Sequence, residues 1–78
     1  MITPNKYTDY NMSIVNVAAI VIKVLDENGA MRYNDTLKQV QNKVGEESKH
    51  VFQNALNFLF LLGKINYFSK EDLLELII

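Results

Sequence analysis

The stretch FQNALNFLFLLGKINYFSKEDLLELI, Phe52 to Ile77, decides the fold. Its first part keeps a helical period. Phe52, Ala55, Leu56, Leu59 and Leu62 recur at three- and four-residue spacing and share one face. This predicts a helix over residues 48–62, capped near Ser48. Phe58, Phe60 and Leu61 cover much of the remaining circumference, so the second half of that helix is apolar all round. Gly63 then stands where a helix turns into left-handed backbone and stops. Beyond it the pattern shortens. Lys64 to Phe68 reads as a strand, Ser69 to Asp72 as a turn, and Leu73 to Ile77 as a second strand. A short helix capped by Ser69 or Asp72 is the rival for the last segment. The hairpin is preferred, although its turn lacks the glycine that tight hairpins favour.

Working back from this stretch, Leu37, Val40 and Val44 form a narrow apolar stripe in an otherwise polar run. That predicts a helix from an Asn34 or Asp35 cap to Val44, ended by Gly45. Ala30 to Tyr33 is a short extended link. Residues 12–28 are harder. Ile14, Val15, Val17, Ile20, Val21, Ile22 and Val24 are β-branched, which favours a strand. The run is too long for an ordinary strand. Asn16 and Lys23 lie seven apart, and a helix aligns them with Asp26 and Glu27 on one polar stripe. A helix is therefore expected, capped by Asn11 or Ser13 and stopped at Gly29, and buried on nearly all sides, partly by another chain.

The order is helix, link, helix, helix, hairpin. The expected class is mainly α with a small β-hairpin: a winged-helix-like three-helix domain over residues 12–78, its second and third helices forming a helix-turn-helix. Residues 1–11 carry no periodicity. They read either as a frayed leader or as an N-terminal arm, and Tyr7 and Tyr10 favour an arm because an aromatic ring left in water wastes its buried area.

With 78 residues, 49% of them hydrophobic, the chain supports one small core. Charged residues are 22%, and 8 Lys+Arg against 9 Asp+Glu leave a net charge of −1. There is no cysteine, which excludes disulfide scaffolds, thiol nucleophiles and cysteine-ligated zinc. The N-terminal residues are polar and do not read as a targeting signal. The longest apolar-rich run, Ile14 to Leu25, is far short of the roughly 20 residues of a bilayer span. The chain reads as cytoplasmic. His50 is the only histidine, beside Lys49, and a general base needs a partner and a cleft. The acidic pairs Asp26-Glu27, Glu46-Glu47 and Glu71-Asp72 fall at element ends, where charge is solvated. Gly63-Lys64 lacks the spacing of a phosphate loop. The expectation is a protein that is not an enzyme and holds no cofactor, metal or small-molecule substrate.

A winged helix invites the thought of DNA. Lys49, Gln53 and Asn54 form a polar strip that could meet nucleic acid, but the helix has no arginine and its strip covers only the first half. The balanced charge also argues against a domain that lives on phosphate backbone. A DNA-binding transcription regulator is the alternative reading. Spare apolar surface fits protein binding better.

The residues also carry a resemblance. Pro4, Lys6 and Tyr7 open the chain, Ser13-Ile14-Val15 starts the first helix and Leu37 centres the second. The run Phe52-x-x-Ala55-Leu56-x-Phe58-Leu59-Phe60-Leu61-Leu62-Gly63-Lys64-Ile65 closes the pattern. Together they resemble the small middle components of bacterial ABC-three-component systems, the Lamassu-like defence operons, over essentially the whole chain. The turn at Ser69 to Asp72 departs from that pattern in lacking glycine. The resemblance implies a non-catalytic adaptor between a large SMC-like ABC ATPase and an effector, often a nuclease, acting against phage or plasmid DNA. DNA would be met only indirectly, through the complex. The expected docking residues are Pro4, Lys6 and Tyr7 in the arm, and an apolar patch of Phe58, Phe60, Tyr67 and Phe68.

Overall fold

A computed structural model describes residues 13–77. The first helix, α1, runs Ile14–Asn28. Ser13 caps it, its Oγ accepting the Asn16 N–H at 3.0 Å. Gly29 stops it in left-handed backbone at φ 79°, its N–H returning to the Leu25 carbonyl. Asn11, the other cap considered, lies outside the described residues, as do the arm residues 1–11. Val17, Ala18, Val21, Val24 and Leu25 face the core, whereas Val15 is 65% exposed. Within the chain the helix is therefore buried along a broad stripe, and Ile14 and Val15 are left for the share of burial expected from another chain. Within one small domain, packing neighbours reach only one side of it.

The link at residues 30–33 does more than connect. Met31–Arg32 is a strand, β1, pairing antiparallel with the last strand at Met31↔Leu74 and Arg32↔Leu73. The second helix, α2, then runs Tyr33–Val44, starting earlier than a cap at Asn34 or Asp35 would place it. The correction has a physical cause. The position before the helix is Arg32, which has no side-chain cap bond. The freed N–H of Tyr33 is instead satisfied by the Asp72 carbonyl at 3.2 Å, so the sheet caps the helix. Buried Thr36 turns its hydroxyl back onto the Arg32 carbonyl at 2.9 Å.

A 3₁₀ turn, Glu46–Ser48, leads into α3, Lys49–Leu61. Ser48 occupies the cap position but makes no cap bond to the helix. Its backbone is already helical, and its buried hydroxyl donates to the Gly45 carbonyl at 2.7 Å, tying the turn closed. The far end of α3 closes as a Schellman motif: Gly63 N–H bonds to the Phe60 carbonyl and Lys64 N–H to the Leu59 carbonyl, with Gly63 at φ 70°.

The hairpin is present. Strand β2, Ile65–Phe68, pairs with β3, Leu73–Leu76, in the register Ile65↔Leu76 through Phe68↔Leu73. The missing glycine is supplied by Asp72, which takes φ 53° in the turn. Aspartate tolerates left-handed backbone better than most residues. The sheet order is β1-β3-β2. Its inner face, Ile65, Leu74 and Leu76, packs under the helices. The core is one cluster in which α1 and α3 meet across Val17, Val21, Val24, Phe52, Leu56 and Leu59. Tyr33 lies edge-on to Phe52 at 5.1 Å between ring centroids.

Candidate interaction surface

The residues that α3 leaves outside its core face form a strip. Gln53, Asn57 and Phe60 are spaced four and three apart, so they climb one side of the helix toward the hairpin. Strand β2 runs back beside that side. Between them lies a groove of about 180 Å³ lined by Tyr33, Gln53, Leu56, Phe60, Tyr67 and Leu74. Its apolar floor is Leu56 and Leu74, and its rim is polar.

That rim is a set of fixed hydrogen bonds. Tyr33 donates its hydroxyl to Gln53 Oε1 at 2.9 Å, and Gln53 Nε2 donates to Asn57 Oδ1 at 3.0 Å. Tyr67 donates its hydroxyl to Asp72 Oδ1 at 2.7 Å. The Asp72 carboxylate thus holds the Tyr67 phenol above its ordinary value, chiefly through this bond. Tyr33 is raised as well, first by burial and then by the Asp72 charge. Asp72 therefore serves the turn, the start of α2 and one wall of the groove.

The structure separates residues that the sequence groups. Phe60 and Tyr67 share the groove, 37% and 44% exposed. Phe58 is half-buried and packs against the core. Phe68, 41% exposed, alternates with Tyr67 along β2 and so lies on the outer face of the sheet, across from Leu73. Pro4, Lys6 and Tyr7 lie outside the described residues. Lys49, Gln53 and Asn54 are all exposed on α3. Gln53, however, already spends its amide on Tyr33 and Asn57. Lys49 and His50 share a shallow depression with Glu46 and Glu47, so carboxylates flank the basic start of the helix. Both features work against base and phosphate contact.

Two leucines at the end of α3 join the surface. The period places Leu61 off the core face. It places Leu62 on that face, but Leu62 lies past the last helical residue as the C-cap. Leu61 is 87% exposed and Leu62 55%. The signal was present: Leu61 is seven residues after Asn54 and four after Asn57, so it continues the polar strip and not the core face. Among the described residues, no group of three or more His, Asp, Glu or Cys could hold a metal ion. Nor does any described helix have the length and apolarity to cross a membrane.

Three helices with a β1-β3-β2 sheet, a groove beside the hairpin and an apolar end on α3 make up a small, mainly helical, winged-helix-like domain. The chain belongs to a family of ABC-three-component systems, Middle Component 8, whose model matches residues 29–77. The match begins at Gly29 and takes in the sheet, α2, α3 and the groove residues. No curated protein and no solved structure matches the chain. As a middle component, its partners lie within such a system.

Proposed function

We propose that the chain is a non-catalytic adaptor of a bacterial anti-phage or anti-plasmid system of the Lamassu-like kind. It links an SMC-like ABC ATPase to an effector such as a nuclease, in the cytoplasm. The ATPase supplies nucleotide hydrolysis and DNA sensing. The adaptor restrains the effector until the ATPase rearranges. One observation carries this reading: Phe60 and Tyr67 expose apolar area in one groove between α3 and β2, and Leu61 and Leu62 expose more at the end of α3, within the segment that matches a middle-component family. Apolar area left in water at one end of so small a domain is what a permanent partner covers.

The test is co-expression of the tagged chain with the other components of its system, followed by affinity purification with nuclease added to remove DNA bridges. Recovery of a large ATPase and one further protein is expected. Phe60→Asp and Tyr67→Asp are each expected to lower that recovery. Intact assembly with both variants would place the docking surface elsewhere. A salt-dependent duplex-DNA shift by the pure chain, with no protein recovered, would replace the adaptor with the regulator.

A further inference from the structure

The free edge of β2 has a definite hydrogen-bonding character. In the sheet order β1-β3-β2, β2 has a neighbour on one side only. The Ile77 N–H bonds to the carbonyl of Lys64 at 2.7 Å, the residue next in register before Ile65↔Leu76. In an antiparallel ladder bonded and non-bonded pairs alternate. Asn66 and Phe68 therefore bond to β3, and Ile65 and Tyr67 turn their N–H and C=O groups outward. No backbone hydrogen bond from another described residue reaches these outward groups.

Natural sheets blunt such an edge with a charge, a proline or a bulge inside the strand. Here Ile65-Asn66-Tyr67-Phe68 contains no charge or proline and pairs in unbroken register. Asn66, Tyr67 and Phe68 are all exposed. Charge is placed outside the strand. From Ser48 to Lys70 there is no Asp or Glu, and exposed Lys64 and Lys70 bracket β2. Of the acids nearby, Asp72 is already engaged by the Tyr67 hydroxyl at 2.7 Å, while Glu71 is exposed in the turn and Glu75 on β3.

We infer that the β2 edge at Ile65 and Tyr67 takes an extended segment of a partner subunit as a fourth strand, apolar at its centre and carrying carboxylates toward its ends. Residues of that segment across from Ile65 and Tyr67 point to the helix side, toward exposed Phe60 and Tyr67. Those across from Asn66 and Phe68 meet Phe68 on the outer face. The terminal carboxylates meet Lys64 and Lys70. A second copy of this chain fits less well, because antiparallel pairing of two β2 edges about Tyr67 sets Lys64 of one copy against Lys70 of the other. DNA fits less well too, because alternating N–H and C=O groups are matched by a second extended backbone, whereas phosphate oxygens only accept and leave the carbonyls unpaired. This deepens the adaptor reading and rests on it for the partner being a protein.

The probes are overlapping fifteen-residue peptides tiling the other two components of the system, titrated against the isotope-labelled full chain. The expected result is one binding segment with an apolar centre and flanking acids. Ile65 and Tyr67 amides, fast to exchange in the free chain, become protected on binding. The chain is short enough for chemical synthesis, so the edge can be tested with side chains intact. N-methylation at Tyr67 should weaken that peptide about tenfold or more, while the Asn66 and Phe68 amides stay protected and report an intact hairpin. Four results would overturn the inference: no binding tile, a binding tile indifferent to N-methyl Tyr67, Ile65 and Tyr67 amides protected by self-association, or protection by duplex DNA. A chain that co-purifies with its system yet ignores every tile loses this edge and keeps the adaptor role.

Discussion

Asp72 is where several demands meet on one side chain. Its backbone sits at φ 53°, its carbonyl accepts from Tyr33 N–H and its carboxylate accepts from Tyr67. Only the last two demands concern bonds, and only the last needs the side chain. Asp72→Asn keeps tolerance of left-handed backbone, so it should fold almost as well as the parent. Asp72→Val puts a branched Cβ into that backbone and should lose about 1–2 kcal/mol in urea denaturation. The phenols offer a second reading of the same site. Both Tyr33 and Tyr67 hold their protons above the ordinary 10.0. The folded chain therefore binds protons more tightly than the unfolded one. The resulting stability is fully present below the unfolded phenol value and is lost as pH rises through the folded values. Thermal midpoints followed from about pH 9 to about pH 12 should fall, and Tyr67→Phe should make that fall shallower. An unchanged slope would mean that the Tyr67–Asp72 bond does not persist in solution.

At the scale of elements, local chemistry explains what was legible and non-local pairing explains what was not. Phe52, Ala55, Leu56 and Leu59 repeat at helical spacing, so α3 could be read directly, and Gly63 marked its end. All four are buried. Gly63→Ala tests that mark. A Cβ there would meet nothing within 4 Å, so its cost is backbone strain alone. The expected loss is about 1 kcal/mol by chemical denaturation, with no change in the far-ultraviolet circular dichroism spectrum. A two-residue strand such as Met31–Arg32 has no period to read. It exists because β3, some forty residues later, supplies the partner. The early start of α2 has the same origin, since the carbonyl that satisfies Tyr33 belongs to Asp72. The interaction surface was half legible for a related reason. An aromatic run shows that apolar area is in excess. It does not show that Tyr67 and Phe68 face opposite sides of one strand until the register is known.

For the whole molecule, the question is which apolar residues hold the domain together and which belong to its partners. Leu59 and Leu61 are two residues apart on α3, 1% and 87% exposed. Truncating Leu59 to alanine removes packed methyls and leaves a cavity, costing about 2–5 kcal/mol. A domain this small holds on the order of 5 kcal/mol in total, so Leu59→Ala should largely unfold and lose every partner at once. Leu61 touches little within the chain. Leu61→Glu should shift stability by less than about 0.5 kcal/mol, leaving the thermal midpoint near the parent's. If the apolar end of α3 is covered in the assembled system, the same substitution buries an unpaired carboxylate there and co-purification should fall sharply. The pair of measurements separates fold from docking. A Leu61→Glu chain that melts normally but loses its partners assigns the exposed leucine to the interface. One that melts normally and keeps them assigns it to open surface, and the groove at Phe60 and Tyr67 must then carry the contact alone.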